Sequence, residues 1–129
     1  VADPLVPISW GELIDKITIL RLKRARLHDA AAVADVAREL AALEAIVAGL
    51  DPTPPELPAL TAALASVNAR LWEIEDDIRA HEAAQRFDAG FIALARQVYQ
   101  QNDERGRLKR AINALLGSGF VEHKQYTAY

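Results

Sequence analysis

The sequence predicts an all-α fold, an antiparallel four-helix bundle of two helical hairpins, with an extended N-terminal segment and a docked C-terminal tail. Three observations predict it. Apolar residues recur at alternating three- and four-residue steps through four long stretches, which draws one apolar seam along each helix. Proline, glycine and capping residues punctuate the chain between those stretches. Alanine is abundant and aromatics make up 6% of 129 residues, a mix that favours closely packed helices over a sheet. Residues 1–129 are read as a single domain, long enough to bury a core.

Val1 to Ile8 carries Pro4 and Pro7 and is expected to be extended. Ser9-Trp10-Gly11-Glu12 reads as a capping box, with Ile8 and Leu13 as its hydrophobic staple. A first helix follows from Trp10 to about His28, with Leu13, Ile17, Leu20, Arg24 and Leu27 on its seam and Ile19 and Leu22 nearly opposite. Asp29 caps a second helix running to about Ala48 along Val36, Leu40, Leu43, Val47 and Leu50. The short connection and matched seams predict a hairpin. Asp51-Pro52-Thr53-Pro54-Pro55 cannot continue a helix. The third helix starts between Pro55 and Pro58 and runs to about Ala84 on Leu57, Leu60, Leu64, Val67, Leu71, Ile74 and Ile78. Asp88 caps a fourth, to about Leu116, on Phe91, Leu94, Val98, Leu108, Ile112 and Leu115, interrupted midway by Gln101 and Arg105. Gly106 is expected to allow a close approach there, and Gly117-Ser118-Gly119 closes the helix. Phe120, Val121 and Tyr126 are expected to dock the tail.

Fifteen Lys and Arg against eighteen Asp and Glu leave a net charge of −3, which disfavours general nucleic-acid binding. With no cysteine, disulfides and thiolate metal sites are excluded. No apolar run reaches the length of a membrane span. The start Val-Ala-Asp-Pro has no basic region followed by an apolar one, so no signal peptide is expected. The missing initiator methionine is read as processing or trimming, and the cytoplasm is the default compartment.

Polar residues sit where the seams should be apolar. If the helices alternate in direction, a climb of about fourteen residues, roughly 21 Å at 1.5 Å per residue, reaches Arg24, Trp72 and Asn102 together. Arg24, Asn68, Trp72, Glu75, Gln101, Asn102 and Arg105 then share one layer, with Lys109 a turn away. A buried charge must be paired, and Glu75 is the natural partner of Arg24 or Arg105. Such a layer either fixes helix register or holds a small ligand. Two arginines against one sure carboxylate leave positive charge for a phosphate or carboxylate, so Arg24, Asn68, Trp72, Glu75, Asn102, Arg105 and Lys109 are the candidate ligand-binding residues.

Weaker signals point elsewhere. Glu73, Glu75, Asp76 and Asp77 form an acidic cluster, and Glu12 and Asp15 are another acidic pair. Paired carboxylates can hold Mg²⁺, but a solvated face is the simpler account, and no metal or cofactor is expected. His28, His81 and His123 have no ligand spacing, and no Ser/His/Asp set or phosphate loop is present. The expected partner is an anionic small molecule or a protein, not a membrane. Self-assembly through Ile19 and Leu22 is a further alternative, and so is a small all-α enzyme in which Glu75 acts as acid or base.

Three blocks carry a resemblance: Pro7 to Leu20 (PISWGELIDKITIL), Asn68 to Arg79 (NARLWEIEDDIR) and Ala95 to Asn113 (ARQVYQQNDERGRLKRAIN). Together they resemble a small bacterial family of unknown function whose members are met near glycosyltransferase and surface-polysaccharide genes. The resemblance covers nearly the whole chain. It implies a role near sugar-nucleotide or glycan metabolism and supplies no catalytic residues. Helix 1 is also similar to helical chorismate mutases in leading Leu13-Ile14-Asp15 into Arg21 and Arg24, a pattern the later helices do not follow. The acidic pairs at 12/15 and 73/76 lack the spacing of all-α nucleotide pyrophosphohydrolases.

Overall fold

The computed structural model describes residues 1–129 and contains four helices: α1 (Trp10–Arg26), α2 (Ala30–Ala48), α3 (Leu57–Ala83) and α4 (Ala89–Leu116). Their ends follow local chemistry. Ser9, Asp29 and Asp88 are extended and accept from the backbone N–H three residues on, at Glu12, Ala32 and Phe91. α3 has no side-chain cap and starts on proline in its first turn. α4 stops at Gly117, whose φ of 67° is the left-handed conformation that glycine adopts without a Cβ penalty. α1 ends two residues short of the expected His28, at Arg26, with Leu27 extended.

α1 is the hub, in contact with all three other helices, while α3 and α4 form a long hairpin. α2 touches α1 alone among the helices at backbone range. The contacts of Asp15 and Thr18 with Asn68, and of Arg26 with Glu73, run α1 parallel to α3. Those of Trp10 with Ser118 and of Asp15 with Arg105 run it antiparallel to α4. The core is built from Leu13, Ile14, Ile17 and Leu20 of α1, Leu40 of α2, Leu57, Leu64 and Val67 of α3, and Leu108 and Ile112 of α4.

The start of α1 is sewn to the end of α4. Ser118 Oγ accepts from Trp10 N–H at 2.8 Å, and Asn113 Oδ1 accepts from Gly11 N–H at 2.7 Å. With Ser9 on Glu12 N–H at 3.1 Å, the first-turn donors of α1 are satisfied. The close approach lies at Gly11, where a Cβ would fall 2.4 Å from the Lys109 carbonyl oxygen. Gly106, the residue expected in that role, meets only the flexible ends of Arg110 and Lys124. Glu12 does not close the capping box; its carboxylate takes Lys109 Nζ at 2.7 Å.

The tail turns back along α4. Glu122 reaches Lys109 at 2.9 Å, Lys124 lies over Gly106, and the Tyr129 hydroxyl donates to Asp103 while its ring packs edge-on against Tyr99 at 5.2 Å. It docks through charge and tyrosine, because Phe120, Val121 and Tyr126, the residues expected to do so, are exposed.

Candidate functional site

Asp15 is the most deeply buried carboxylate, 1% exposed, on the inner face of α1. Arg105 of α4 grips it from two nitrogens, Nε at 2.9 Å and Nη2 at 2.5 Å. Asn68 of α3 donates to the same carboxylate at 2.9 Å and to the Thr18 hydroxyl, also at 2.9 Å; that hydroxyl donates to the Asp15 carbonyl. Three helices therefore meet at one acid. Every buried side-chain nitrogen and oxygen finds a partner, as a polar group in a core must. The hydrogen bond to Asp15 outweighs burial and raises the Arg105 guanidinium above the ordinary arginine value.

A second charged rung lies one turn along. Lys109, with 10% of its side chain exposed, donates to Glu12 of α1 and Glu122 of the tail. Burial pulls its ammonium down, but the two carboxylates outweigh that and leave it above the ordinary lysine value. The same bond to Lys109 holds the Glu122 carboxyl below the usual carboxylate range.

Above the Asp15–Arg105 pair the helices part into an open cleft of about 510 Å³. α1 contributes Ile19, Leu22 and Lys23; α3 contributes Asn68, Leu71, Trp72, Glu75, Asp76 and Arg79; α4 contributes Asn102 and Arg105. Of the seven candidate residues, Asn68, Trp72, Glu75, Asn102 and Arg105 line this cleft. Arg105 spends Nε and Nη2 on Asp15, and its Nη1 takes no protein acceptor. Lys23 has no carboxylate partner, whereas Glu75 pairs with Arg79 on its own helix at 3.3 Å. Trp72 also carries the Arg26 guanidinium over its ring at 5.9 Å. Ile19 and Leu22, read as an alternative assembly face, line this cleft.

The other two candidates lie elsewhere. Arg24 is exposed, Glu75 pairs with Arg79 and Arg105 pairs with Asp15, so neither expected pair of Glu75, with Arg24 or with Arg105, forms. The buried part of α1 ends at Leu20, and past that point a guanidinium keeps its hydration. The level estimate failed because the helix ends are not flush: the first turn of α1 packs on Lys109 and Asn113, one to two turns inside the end of α4 at Leu116. Lys109 belongs to the Glu12–Glu122 rung. Gln101 is half-buried outside the cleft. Asp15 is the centre of this network that periodicity missed. Its signal was present: an acid flanked by Leu13, Ile14 and Ile17 on a face otherwise apolar.

The acidic cluster on α3 does not converge. Glu73 faces Arg26 and Arg70, Glu75 faces Arg79, and no three His, Asp or Glu side chains come together to hold a metal ion. No helix is long and apolar enough to cross a membrane.

Comparison with known proteins gives one match. Residues 5–129 match a family described only as a family of unknown function, DUF6165. No curated protein and no solved structure matches the chain.

Proposed function

We propose that this chain, which belongs to DUF6165, a family of unknown function, is a non-catalytic binding or accessory protein. Its ligand is a small anion seated in the α1/α3/α4 cleft. The observation that carries this is Arg105. Its guanidinium is fixed by the buried Asp15, yet one of its nitrogens has no protein acceptor, and the residue lines an open cleft. A pre-ordered arginine loses little entropy when it takes a carboxylate or phosphate. Lys23 adds a second cation from α1, Asn68 and Asn102 flank the floor with amides, and Trp72 offers a flat wall. A bacterial setting near glycan or sugar-nucleotide metabolism is part of the proposal and rests on the sequence resemblance; a cytoplasmic one is part of it as the default compartment.

Calorimetric titration with inorganic phosphate and sugar phosphates tests it. Binding is expected for the native chain, weakened about tenfold, ~1.4 kcal/mol, by Lys23→Gln, and unchanged by Arg24→Met on the exposed face. Absence of binding, or equal loss in both variants, rejects the cleft as an anion site and leaves the Asp15 network as a register device alone.

A further inference from the structure

A second, larger cavity of about 890 Å³ opens between the returning tail and α4. Its walls are mainly aromatic and apolar: Tyr99 and Val98 of α4, Tyr126 and Tyr129 of the tail. Asn102 and Asp103 of α4 and Lys124 and Thr127 of the tail supply polar groups, Lys124 being the one cation. Asn102 lines both this cavity and the Arg105 cleft. The two spaces therefore adjoin across one side chain. From Arg105 to Tyr99 is six helical residues, roughly 9 Å at 1.5 Å per residue.

Tyr126 is the telling residue. It is 81% exposed, and no hydrogen bond or ring contact holds it. A largely exposed tyrosine with no hydrogen bond adds little to the fold, but it presents a ring face and a hydroxyl to whatever enters. Tyr129 is different, since Asp103 and Tyr99 fix its position. One fixed and one free tyrosine across an amide, a carboxylate, a hydroxyl and an ammonium suit a ring that is apolar on its faces and hydroxylated at its edge. That is the surface of a sugar ring. Largely apolar walls with a few convergent polar groups are the usual composition of a small-molecule site.

Resting on the anion reading above, we infer that the tail cavity is a saccharide subsite continuous with the cleft. The ligand is then an acidic sugar of about two rings, its anionic group on Arg105 and Lys23 and its neighbouring ring against Tyr99, Tyr126 and Tyr129.

Titration of the full chain with digalacturonate, inorganic phosphate and adenosine monophosphate tests this. Digalacturonate is expected to bind at least about tenfold tighter than phosphate. Tyr126→Ala is expected to remove most of that margin and to leave phosphate affinity unchanged. Because Tyr126 is 81% exposed and holds no hydrogen bond, the variant should fold as the native chain does, which its melting curve verifies. Digalacturonate binding no tighter than phosphate, or unaffected by Tyr126→Ala, overturns the subsite while leaving the anion cleft intact. Adenosine monophosphate binding tighter than digalacturonate overturns the sugar assignment. No binding of any of the three removes both readings.

Discussion

At the scale of single residues, Asp15 and Gly11 carry consequences out of proportion to their size. Removing the Asp15 carboxylate strands the guanidinium of Arg105 and the amide of Asn68 in a site built around an anion. Losing one partner of a buried ion pair costs several kcal/mol because the other stays desolvated. Asp15→Ala is therefore expected to lower stability by about 3 kcal/mol, read as a fall in the urea midpoint at unchanged slope. Arg24→Ala, on the exposed side of the same helix, should stay within about 0.5 kcal/mol of the native chain. The glycines give a second pair of opposite sign. Gly11→Ala drives a methyl into the Lys109 carbonyl, and main chain cannot step aside as a side chain can. A loss of about 2 kcal/mol is expected, in the range of overpacked cores. Gly106→Ala meets only mobile side-chain ends and should gain up to about 1 kcal/mol from helix propensity. Thermal melts of the two variants, shifting in opposite directions, check this.

At the scale of elements, the junction between the start of α1 and the end of α4 matters most. Asn113 and Ser118 accept from Gly11 and Trp10, so α4 finishes α1 where a helix cannot finish itself. Asn113→Ala should cost about 1–3 kcal/mol, since it leaves a buried N–H without an acceptor. Ser9→Ala, which removes an exposed cap, should cost only about 1 kcal/mol. The helices themselves were legible: the caps at Ser9, Asp29 and Asp88 and the stops at Gly49 and Gly117 fall where local chemistry requires. The junction was not, because Asn113 and Gly11 are 102 residues apart and neither position departs from ordinary helical patterning. Counting levels from helix ends assumed that the ends align. Equal climbs from unequal starts then brought Arg24 to the layer where Asp15 belongs.

At the scale of the whole molecule, two charged rungs tie α1, α4 and the tail. The outer rung is sensitive to pH. Docking holds Glu122 below its ordinary value of 4.5, so its contribution is present above that pH and is lost as the pH falls through the docked value. Docking holds Lys109 above 10.5, so its contribution is present below that pH and is lost as the pH rises through the docked value. The tail should therefore stay docked through neutrality and release in acid below the usual carboxylate range. Glu122 has 46% of its side chain exposed, so added salt should weaken the latch. Ring resonances of Tyr129 followed against pH report the release, and Glu122→Gln should remove the acid step. The sequence marked part of the cleft: Arg105 interrupts an apolar seam, and Asn68, Trp72, Glu75 and Asn102 lie in rows beside the seams. It could not show that the tail folds back to wall a second cavity, because an irregular segment carries no periodicity from which to place it.

The lone attachment of α2 has its own outcome. Leu40 is the only buried residue on that helix, and α1 is the only helix at its back. Amide deuterium uptake should run fastest through α2 and slowest through Leu13 to Leu20, as expected where a peripheral unit opens without the rest. The molecule can thus shed one helix transiently while the three that enclose Asp15 stay together.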